Sequence, residues 1–308
     1  PWMNYLFNGE LFTMMSQSGG NLSWYKSPEI WRIGRYNFYN LPVDVNGLFV
    51  YIKDESTGEV WNPTIIPCDN KPDKWQSRHG LGYTKFFAEK DGLKVEVRAF
   101  IGKDNVLCYD VKLLSDRKRK LTLFACHEMG LMEYLREVQW QCYCKNSNNI
   151  LYNEECDALV YEYFVDMQAR PDETPFVYFC SNKKSSSYSG VRKSFTGNYR
   201  DLKNPIAVEN GRLPNDELKG GEAMFSMSFE LDLQANKADT LDIFLGALKP
   251  NEDLKETTDK LRGENYAEKA FADLEKSWRD RLDVFSVDIP DDGAQRMINV
   301  WNKLQALV

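Results

Sequence analysis

Short segments that alternate apolar and polar residues, separated by turn residues, recur along most of this chain. The segment Leu93–Ala99 is one example, with Asp91-Gly92 before it and Lys103-Asp104-Asn105 after it. Such alternation is typical of a half-buried strand, and the flanking residues are turn signals. Further strands are predicted at Leu48–Lys53, Val106–Leu114, Lys120–Met129, Ala158–Val165, Phe176–Ser181, Met224–Leu233 and Thr240–Leu248. Many strands at short spacing predict a mainly β fold, a large antiparallel β-sandwich, rather than βαβ units.

After residue 250 the apolar residues recur at helical spacing instead. Pro250 and the Asn251/Asp253 region supply a helix start, and Tyr266–Phe285 has one apolar and one charged face, as an amphipathic helix does. Pro290 and Asp291-Asp292 begin another helix. Its apolar stripe, which has no evident partner in the sandwich, consists of Met297, Val300, Trp301, Leu304, Leu307 and Val308. We therefore expect a β-sandwich domain over residues 1–250, a helical linker over 251–288, and the start of a further, truncated helical domain over 289–308.

Charge and hydropathy exclude several classes of protein. The formal net charge of −7 argues against a nucleic-acid scaffold, which normally displays a basic stripe. The one basic cluster, Arg117–Lys120, falls between two predicted strands, where we expect a solvated hairpin loop. No apolar run approaches the roughly 20 residues that cross a bilayer, and the first residues lack a signal-peptide pattern. A cytoplasmic protein without nucleic-acid or membrane partners is expected.

The cysteines and histidines do not form a recognisable metal site. The chain has 7 cysteines and 2 histidines, without a CxxC pair. This composition gives no metal-ligand spacing, so no metal is predicted. We expect the cysteines to be reduced thiols, mostly in the core.

Neither histidine has the neighbours of a catalytic triad. His79 stands beside Gly80 and Gly82, which permit close backbone approach. It either lines a sugar or phosphate site or belongs to a strand-initiating turn. For His127, which lies in a predicted strand, we expect a hydrogen-bonded structural role.

Charged side chains offer further candidates. The arginines in Gly-rich and aromatic-rich surroundings suit sugar hydroxyls or phosphate, and equally structural ion pairs; they are Arg32, Arg35 and Arg78. Glycoside chemistry requires two carboxylates, or one acid and an external nucleophile. The carboxylates considered, each expected on the surface or in a loop, are Glu10, Asp44, Glu89, Glu96, Glu128, Glu133 and Glu137. No general acid is recognisable among them.

Several segments, in order along nearly the whole chain, resemble those of one enzyme family. They are Pro1–Leu6 (PWMNYL), Ser18–Tyr25 (SGGNLSWY), Arg35–Asp44 (RYNFYNLPVD), Arg78–Tyr83 (RHGLGY), Asn204-Pro205 and Met297–Asn302 (MINVWN). The chain resembles the amino-terminal part of glycoside hydrolase family 94, the cellobiose and chitobiose phosphorylases, also known as the glycosyltransferase 36 family.

This resemblance implies a supersandwich like that of galactose mutarotase, then a helical linker and an (α/α)6 barrel. The barrel carries an Asp general acid, expected beyond Val308, so that no catalytic residue is expected in this chain. Inorganic phosphate, the co-substrate, attacks the anomeric carbon of a β-linked disaccharide or oligosaccharide. The resemblance thus implies a hexosyltransferase without cofactors, an inverting phosphorylase that yields an α-sugar 1-phosphate. The fragment alone is expected to be inactive.

Family enzymes work as homodimers in which one sandwich helps to close the other subunit's active site. Tyr25 matches an aromatic position that reaches the partner's acceptor site. The other partner-reaching segment corresponds to Gln139–Tyr143, where Gln141 fits with a one-residue deletion, Tyr143 follows it, and the family's Arg is missing. This departure leaves the acceptor sugar open. Expected loop contacts to substrate are Arg35, Arg78, His79 and Tyr83.

Two alternatives from other classes stay open. The chain could be a stand-alone carbohydrate-binding sandwich without catalysis, although an exposed stripe such as Met297–Val308 is unusual for a finished module. It could also be the matching module of a large β-glucan synthase.

Overall fold

The computed structural model describes residues 2–35, 46–140, 142, 145–163 and 174–307. The strands in chain order are β1 (Met3–Asn8), β2 (Leu11–Ser16), β3 (Asn21–Tyr25), β4 (Arg32–Gly34), β5 (Leu48–Asp54), β6 (Val60–Trp61), β7 (Lys74–Gly80), β8 (Tyr83–Lys90), β9 (Leu93–Gly102), β10 (Val106–Ser115), β11 (Arg119–Met132), β12 (Asn148–Asn153), β13 (Ala158–Tyr163), β14 (Phe176–Ser181), β15 (Ser187–Val191), β16 (Leu218–Lys219), β17 (Ala223–Leu233) and β18 (Asp239–Leu248). The helices are α1 (Tyr134–Gln139), α2 (Arg192–Thr196), α3 (Ile206–Asn210), α4 (Leu254–Leu261), α5 (Tyr266–Leu282), α6 (Asp292–Arg296) and α7 (Asn302–Leu307), with a π-helical turn (Met297–Trp301) between the last two.

In the described part of the chain these strands form two large antiparallel sheets. The first sheet has the order β1-β2-β3-β4-β11-β17-β15, and β5, with β6 beside it, pairs with the amino-terminal half of β11. The second has the order β16-β12-β13-β14-β18-β10-β9-β8-β7. The prediction of a mainly β, antiparallel sandwich is therefore confirmed.

The main core lies between the two sheets and explains the alternation in the sequence. In β9, Leu93, Val95 and Val97 are buried in it, whereas Lys94 is exposed and Glu96 is half-buried. The strands predicted from alternation and from apolar runs all form, within a few residues of the expected bounds in the described ranges. The cysteines expected in the core and found buried are Cys68, Cys108, Cys126, Cys156 and Cys180.

Helices cover both outer faces of the sandwich. On the second sheet, Leu261, Phe271, Leu274 and Trp278 of α4 and α5 pack with Phe100 and other side chains of β9, β10, β14 and β18. On the first, residues of α2, α3 and the loop between them pack with side chains of β5, β11 and β17. The sandwich is thus a four-layered body in which the linker helices are one of the layers. No described helix is long and apolar enough to cross a membrane.

The helix starts predicted after residue 250 are confirmed. The Asp253 side chain accepts a hydrogen bond from the Glu256 amide at the start of α4, and Asp291 does the same for Ala294 in α6. The amphipathic helix begins at Tyr266 as expected but ends at Leu282 rather than at Phe285. In the carboxy-terminal stripe, Leu304 packs against the outer core of the second sheet, whereas Met297, Trp301 and Leu307 are exposed.

The basic cluster Arg117–Lys120 does not form the predicted hairpin. β10 belongs to the second sheet and β11 to the first, so the connection crosses from one sheet to the other. Arg119 is buried, and its Nη1 donates to Asp54 Oδ2 over 2.9 Å. The hairpin prediction was wrong because turn composition does not distinguish a hairpin from a crossing between sheets.

Candidate functional site

Charged side chains converge at the end of the sandwich where β4 and β11 finish. We call this group the Arg35–Glu128 cluster; its members are Arg32, Arg35, Glu128, Glu137, Lys145, Arg192 and Glu222. Arg35 Nη1 lies 2.5 Å from Glu128 Oε1, and Arg192 Nε lies 3.0 Å from the same oxygen. Lys145 Nζ lies 2.6 Å from Glu222 Oε1. Two arginines therefore share one buried carboxylate, while a second ion pair stands beside them.

The Arg32–Glu137 pair is the most deeply buried part of the cluster. Arg32, in β4, donates to Glu137 of α1, and only 3% of each side chain is exposed. Burial raises the pKa of Glu137, and the nearby Arg32 and Arg35 counteract this rise. Burial lowers the pKa of Arg35, but Glu128 outweighs it, so that the pKa of Arg35 lies above its usual value. The cluster consequently holds its charges as pairs.

The cluster encloses very little space. The cavity that it lines together with Asn148 and Gly221 has a volume of about 20 Å³. This is room for about one water molecule and not for a sugar ring. Asn148 Oδ1 is buried there without a hydrogen-bond partner among the described residues, as a water-binding acceptor would be. The cluster therefore has a structural role: its ion pairs hold neighbouring segments of the chain together.

Helix α1 presents apolar side chains to solvent next to this cluster. The exposed fractions are 42% for Tyr134, 51% for Leu135, 40% for Val138 and 63% for Trp140. In the same helix Glu137 is buried in its pair with Arg32, whose guanidinium lies 5.9 Å from the centroid of the Tyr134 ring. We call the three exposed helical residues, together with Trp140, which directly follows the helix, the α1 apolar face. A helix anchored by a buried ion pair and apolar on its outer side has the character of an interaction surface.

Tyr25, predicted to reach a partner's acceptor site, is buried in this chain. Only 1% of it is exposed, and its hydroxyl donates to Glu10 Oε2 over 2.7 Å. Lys26 and Lys249 lie 3.3 Å and 3.1 Å from the same carboxylate. Partial burial opposes the change, but the bonds from Tyr25, Lys249 and Lys26 lower the pKa of Glu10 to about 2. The acceptor-site role of Tyr25 stays a prediction, and the ring would have to leave this enclosed position to fulfil it.

The predicted loop contacts Arg78, His79 and Tyr83 lie on the β7–β8 hairpin, in the other sheet from Arg35. Tyr83 packs edge-on against Phe271 of α5, and Arg78 is exposed and stacks over Phe87. His79 Nδ1 is 2.9 Å from Thr84 Oγ1.

Two of the sequence motifs, the one that contains Asn4 and the segment Arg78–Tyr83, lie next to each other at this hairpin. The side-chain amide of Asn4 donates to the Gly80 and Tyr83 carbonyls over 3.0 Å and 2.8 Å. The hairpin is thereby tied to β1. The segment around Asn4 and the segment Arg78–Tyr83 are thus joined by structural hydrogen bonds.

Within the described ranges, the structure does not bring the predicted site residues together. Gln141 and Tyr143 lie outside the described residues, as do Asp44 and most of the segment Arg35–Asp44. Tyr25, Arg35 and the β7–β8 hairpin occupy separate places. The described residues contain no group of three or more His, Cys, Asp or Glu side chains that could hold a metal ion.

Two expectations about charged and polar side chains were wrong. Glu128, Glu133 and Glu137 were expected on the surface, yet each is buried and paired with an arginine. His127 is buried as expected, but neither ring nitrogen has a hydrogen-bond partner among the described residues. Burial lowers its pKa to about 3. Sequence reasoning also missed Lys145, Arg192 and Glu222, because nothing in their local sequence marks an ion pair formed between segments that are far apart in the chain.

Comparison with known proteins gives concordant matches. The family model described as "Glycosyl hydrolase 94, supersandwich domain" matches residues 1–264. The chain is 29% identical to an N,N'-diacetylchitobiose phosphorylase of Vibrio furnissii, over 99% of this chain and 38% of that protein. It is 25% identical to a solabiose phosphorylase of Paenibacillus borealis, over 100% of this chain and 40% of that protein. A cyclic beta-(1,2)-glucan synthase of Rhizobium meliloti (strain 1021) is 23% identical, over 100% of this chain and 11% of that protein. The chain therefore spans well under half the length of the relatives that it matches.

Proposed function

Because this chain belongs to glycosyl hydrolase family 94, whose supersandwich domain its residues 1–264 match, we propose that it is the amino-terminal domain of a β-glycoside phosphorylase. The observation that carries the proposal is this match together with phosphorylase relatives that align with the chain from end to end. The reaction is the transfer of a glycosyl group from a β-linked disaccharide or oligosaccharide to inorganic phosphate. Inversion at the anomeric carbon gives an α-sugar 1-phosphate.

The domain's own contribution is a surface at the end of the sandwich that carries the Arg35–Glu128 cluster. The Arg32–Glu137 pair joins α1 to β4, and the Arg35–Glu128 pair joins the end of β4 to β11. It leaves the α1 apolar face outward. We propose that this face contacts a second subunit and that the stretch Gln139–Tyr143, with Gln141 and Tyr143, approaches that subunit's acceptor site.

The chemical step is assigned to residues outside this chain. The carboxylates of the Arg35–Glu128 cluster are paired with cations, and a cavity of about 20 Å³ leaves no place for a glycosidic bond beside them. A general acid must reach the leaving oxygen directly. The 308-residue chain alone is therefore expected to be inactive, and a cytoplasmic location stays a prediction.

The test compares the chain alone with the product of its complete gene. Both are incubated with β-linked disaccharides, with and without inorganic phosphate, and the products are followed by ¹H NMR, which distinguishes the anomers. We expect an α-sugar 1-phosphate from the complete product only, and only when phosphate is present. Release of free monosaccharide regardless of phosphate would refute phosphorolysis. Turnover by the chain alone would refute the proposal that the general acid lies outside this chain.

The resemblance to a β-glucan synthase favours a second candidate. In that case the domain would serve a protein that builds a glucan, as the name of the Rhizobium relative indicates for that protein. Accumulation of polymeric or cyclic glucan in the same NMR experiment, with no sugar 1-phosphate, would support it. Saturable oligosaccharide binding without any turnover by the complete gene product would support the stand-alone binding module instead.

A further inference from the structure

A second cleft lies on the outer face of the first sheet, beside α2 and α3. It has a volume of about 740 Å³, and its lining residues include Asp69, Tyr199, Arg200, Lys203, Asn204 and Glu209. This volume lies within the roughly 300–1,000 Å³ typical of small-molecule sites. We call it the Tyr199 cleft. Its size distinguishes it from the cavity of about 20 Å³ in the Arg35–Glu128 cluster. Arg192 lines the Tyr199 cleft and also pairs with Glu128 of that cluster.

Tyr199 is fully exposed on this cleft and has a left-handed backbone, with φ of 60°. That conformation costs a non-glycine residue about 1–2 kcal/mol, and exposure of the ring offers no burial in return. Glycine would occupy the position without strain. An exposed aromatic ring at a strained position is a feature that folding does not require, and such features concentrate at binding sites.

The loop that carries Tyr199 is firmly held. Leu202 is buried, and its carbonyl accepts a hydrogen bond from the Tyr51 hydroxyl over 2.8 Å. The Lys203 amide donates to Asp201 Oδ1 over 2.9 Å. The ring is therefore presented from a preorganised loop, which lowers the entropy lost when a ligand is bound.

The charges of the Tyr199 cleft are balanced and point to a neutral ligand. Arg200 pairs with Glu209, and Lys203 Nζ lies 3.9 Å from Asp69 Oδ1. Arg192 pairs with Glu128. A phosphate group would meet the repulsion of the carboxylates beside these cations. Hydroxyl groups can instead donate to the carboxylates and accept from the cations and from Asn204.

We propose that the Tyr199 cleft is a binding site for a neutral oligosaccharide, with one sugar ring stacked on Tyr199. The apolar face of a pyranose matches an aromatic ring, while its hydroxyl groups match the mixed rim of carboxylates, cations and amides. Binding at this site does not depend on the phosphorylase reaction.

The test measures binding of tetrasaccharides to the 308-residue chain by calorimetry and saturation-transfer NMR. The probes are β-1,4-linked glucose and N-acetylglucosamine tetramers and β-1,2- and β-1,3-linked glucose tetramers, with inorganic phosphate as the charged comparison. We expect at least one tetrasaccharide to bind. Tyr199→Ala should weaken that binding about tenfold, Tyr199→Trp should retain it, and Tyr5→Ala, a control at a partly exposed tyrosine of β1, should not change it.

Tyr199→Gly provides a readout that a structural role would not give. It should raise the urea midpoint, because the strain is relieved, and still weaken tetrasaccharide binding about tenfold, as Tyr199→Ala does. The proposal is overturned if no tetrasaccharide binds, if Tyr199→Ala leaves binding unchanged, or if only phosphate binds. It is also overturned if Tyr199→Ala changes self-association of the chain without changing saccharide binding, since the cleft would then be a protein interface.

Discussion

Gly82, in the turn between β7 and β8, lies so close to Trp278 of α5 that a Cβ at this position would overlap the indole Nε1. Its φ of 73° is a left-handed conformation that favours glycine. The same turn is held from the other side by Asn4. The linker helix, the hairpin and the first strand of the chain therefore meet at one glycine.

We expect Gly82→Ala to destabilise the fold more than backbone strain alone explains. Gly58 has the same φ of 73°, but a Cβ there would meet no described atom within 4 Å, so Gly58→Ala isolates the strain. That strain is about 1–2 kcal/mol, and the overlap with Trp278 should add about 1–3 kcal/mol. Urea unfolding of the two variants measures the difference. Equal losses would mean that α5 does not depend on this contact.

Glu137→Gln should be strongly destabilising. The substitution removes the buried carboxylate that faces Arg32, and breaking a buried pair by removing one partner costs about 3–5 kcal/mol. Glu89→Gln is the matched control, because Glu89 lies 3.1 Å from Lys74 in an exposed pair that is worth less than about 1 kcal/mol. Unfolding free energies in urea compare the two. If Glu137→Gln lowered the unfolding free energy as little as Glu89→Gln does, the cluster would not have the proposed structural role.

Asp242 should make the fold less stable as the pH rises from about 4 to about 7. It lies opposite Asp110 on the neighbouring strand, near Arg98 and Glu268, and burial together with Asp110 raises its pKa to about 7. The folded state binds the proton of the Asp242 carboxyl more tightly than the unfolded state does. The contribution of this proton to the free energy of unfolding is therefore fully present below pH 4 and is lost as the pH rises through 7.

Asp242→Asn should remove this loss, by about 1–2 kcal/mol at pH 8 after allowance for solvent screening. The measurement is urea unfolding at pH 5 and pH 8. Asp239→Asn, in the same strand and paired with Lys183 at 2.7 Å, serves as the control and should leave the difference in unfolding free energy between pH 5 and pH 8 as it is in the wild type. The prediction would be contradicted if Asp242→Asn also left this difference unchanged.

His127 should act in the opposite direction. Burial lowers its pKa to about 3, so the unfolded state binds the proton more readily below pH 6.5, and stability falls as the pH decreases towards 3. His127→Leu should remove about 1.4 kcal/mol of this loss for each pH unit below 6.5. Thermal unfolding of both proteins between pH 4 and pH 7 measures it. Parallel pH profiles for wild type and His127→Leu would refute it.

The α1 apolar face should govern assembly of the complete gene product. Leu135→Asp places a charge in the proposed subunit contact, and light scattering after size exclusion should show monomers in place of dimers. Leu114→Asp, at a similarly exposed leucine of β10, should leave the dimer intact. A dimer that survives Leu135→Asp would place the contact elsewhere.

Much of the sandwich is predictable from sequence because strand periodicity is local. The alternation in Leu93–Ala99 and the apolar run Lys120–Met129 each report the faces that their own strand buries. The path from β10 to β11 is not local, because the same turn residues serve a hairpin and a crossing between sheets. The end of helix α5 was mispredicted for a similar reason. Apolar residues continue at helical spacing to Phe285, but the helix ends at Leu282.

The candidate site was much less predictable. Arg35 and Glu128 meet only because β4 and β11 are neighbours in register, and Glu137 is buried only because α1 folds back on β4. The local sequence around a carboxylate does not show which distant arginine it will pair with. Tyr199 was also missed, since its significance lies in exposure and backbone strain rather than in residue type.

The position of β11 at the centre of the first sheet has a consequence for synthesis of the chain. Its partners on one side, β4 and β5, leave the ribosome before it, whereas β17, on the other side, follows only after most of the second sheet has been made. At roughly 5–20 residues per second this interval lasts seconds. During that time the nascent β11 has an open apolar edge, which makes it the segment where chaperone binding or aggregation during translation should first occur.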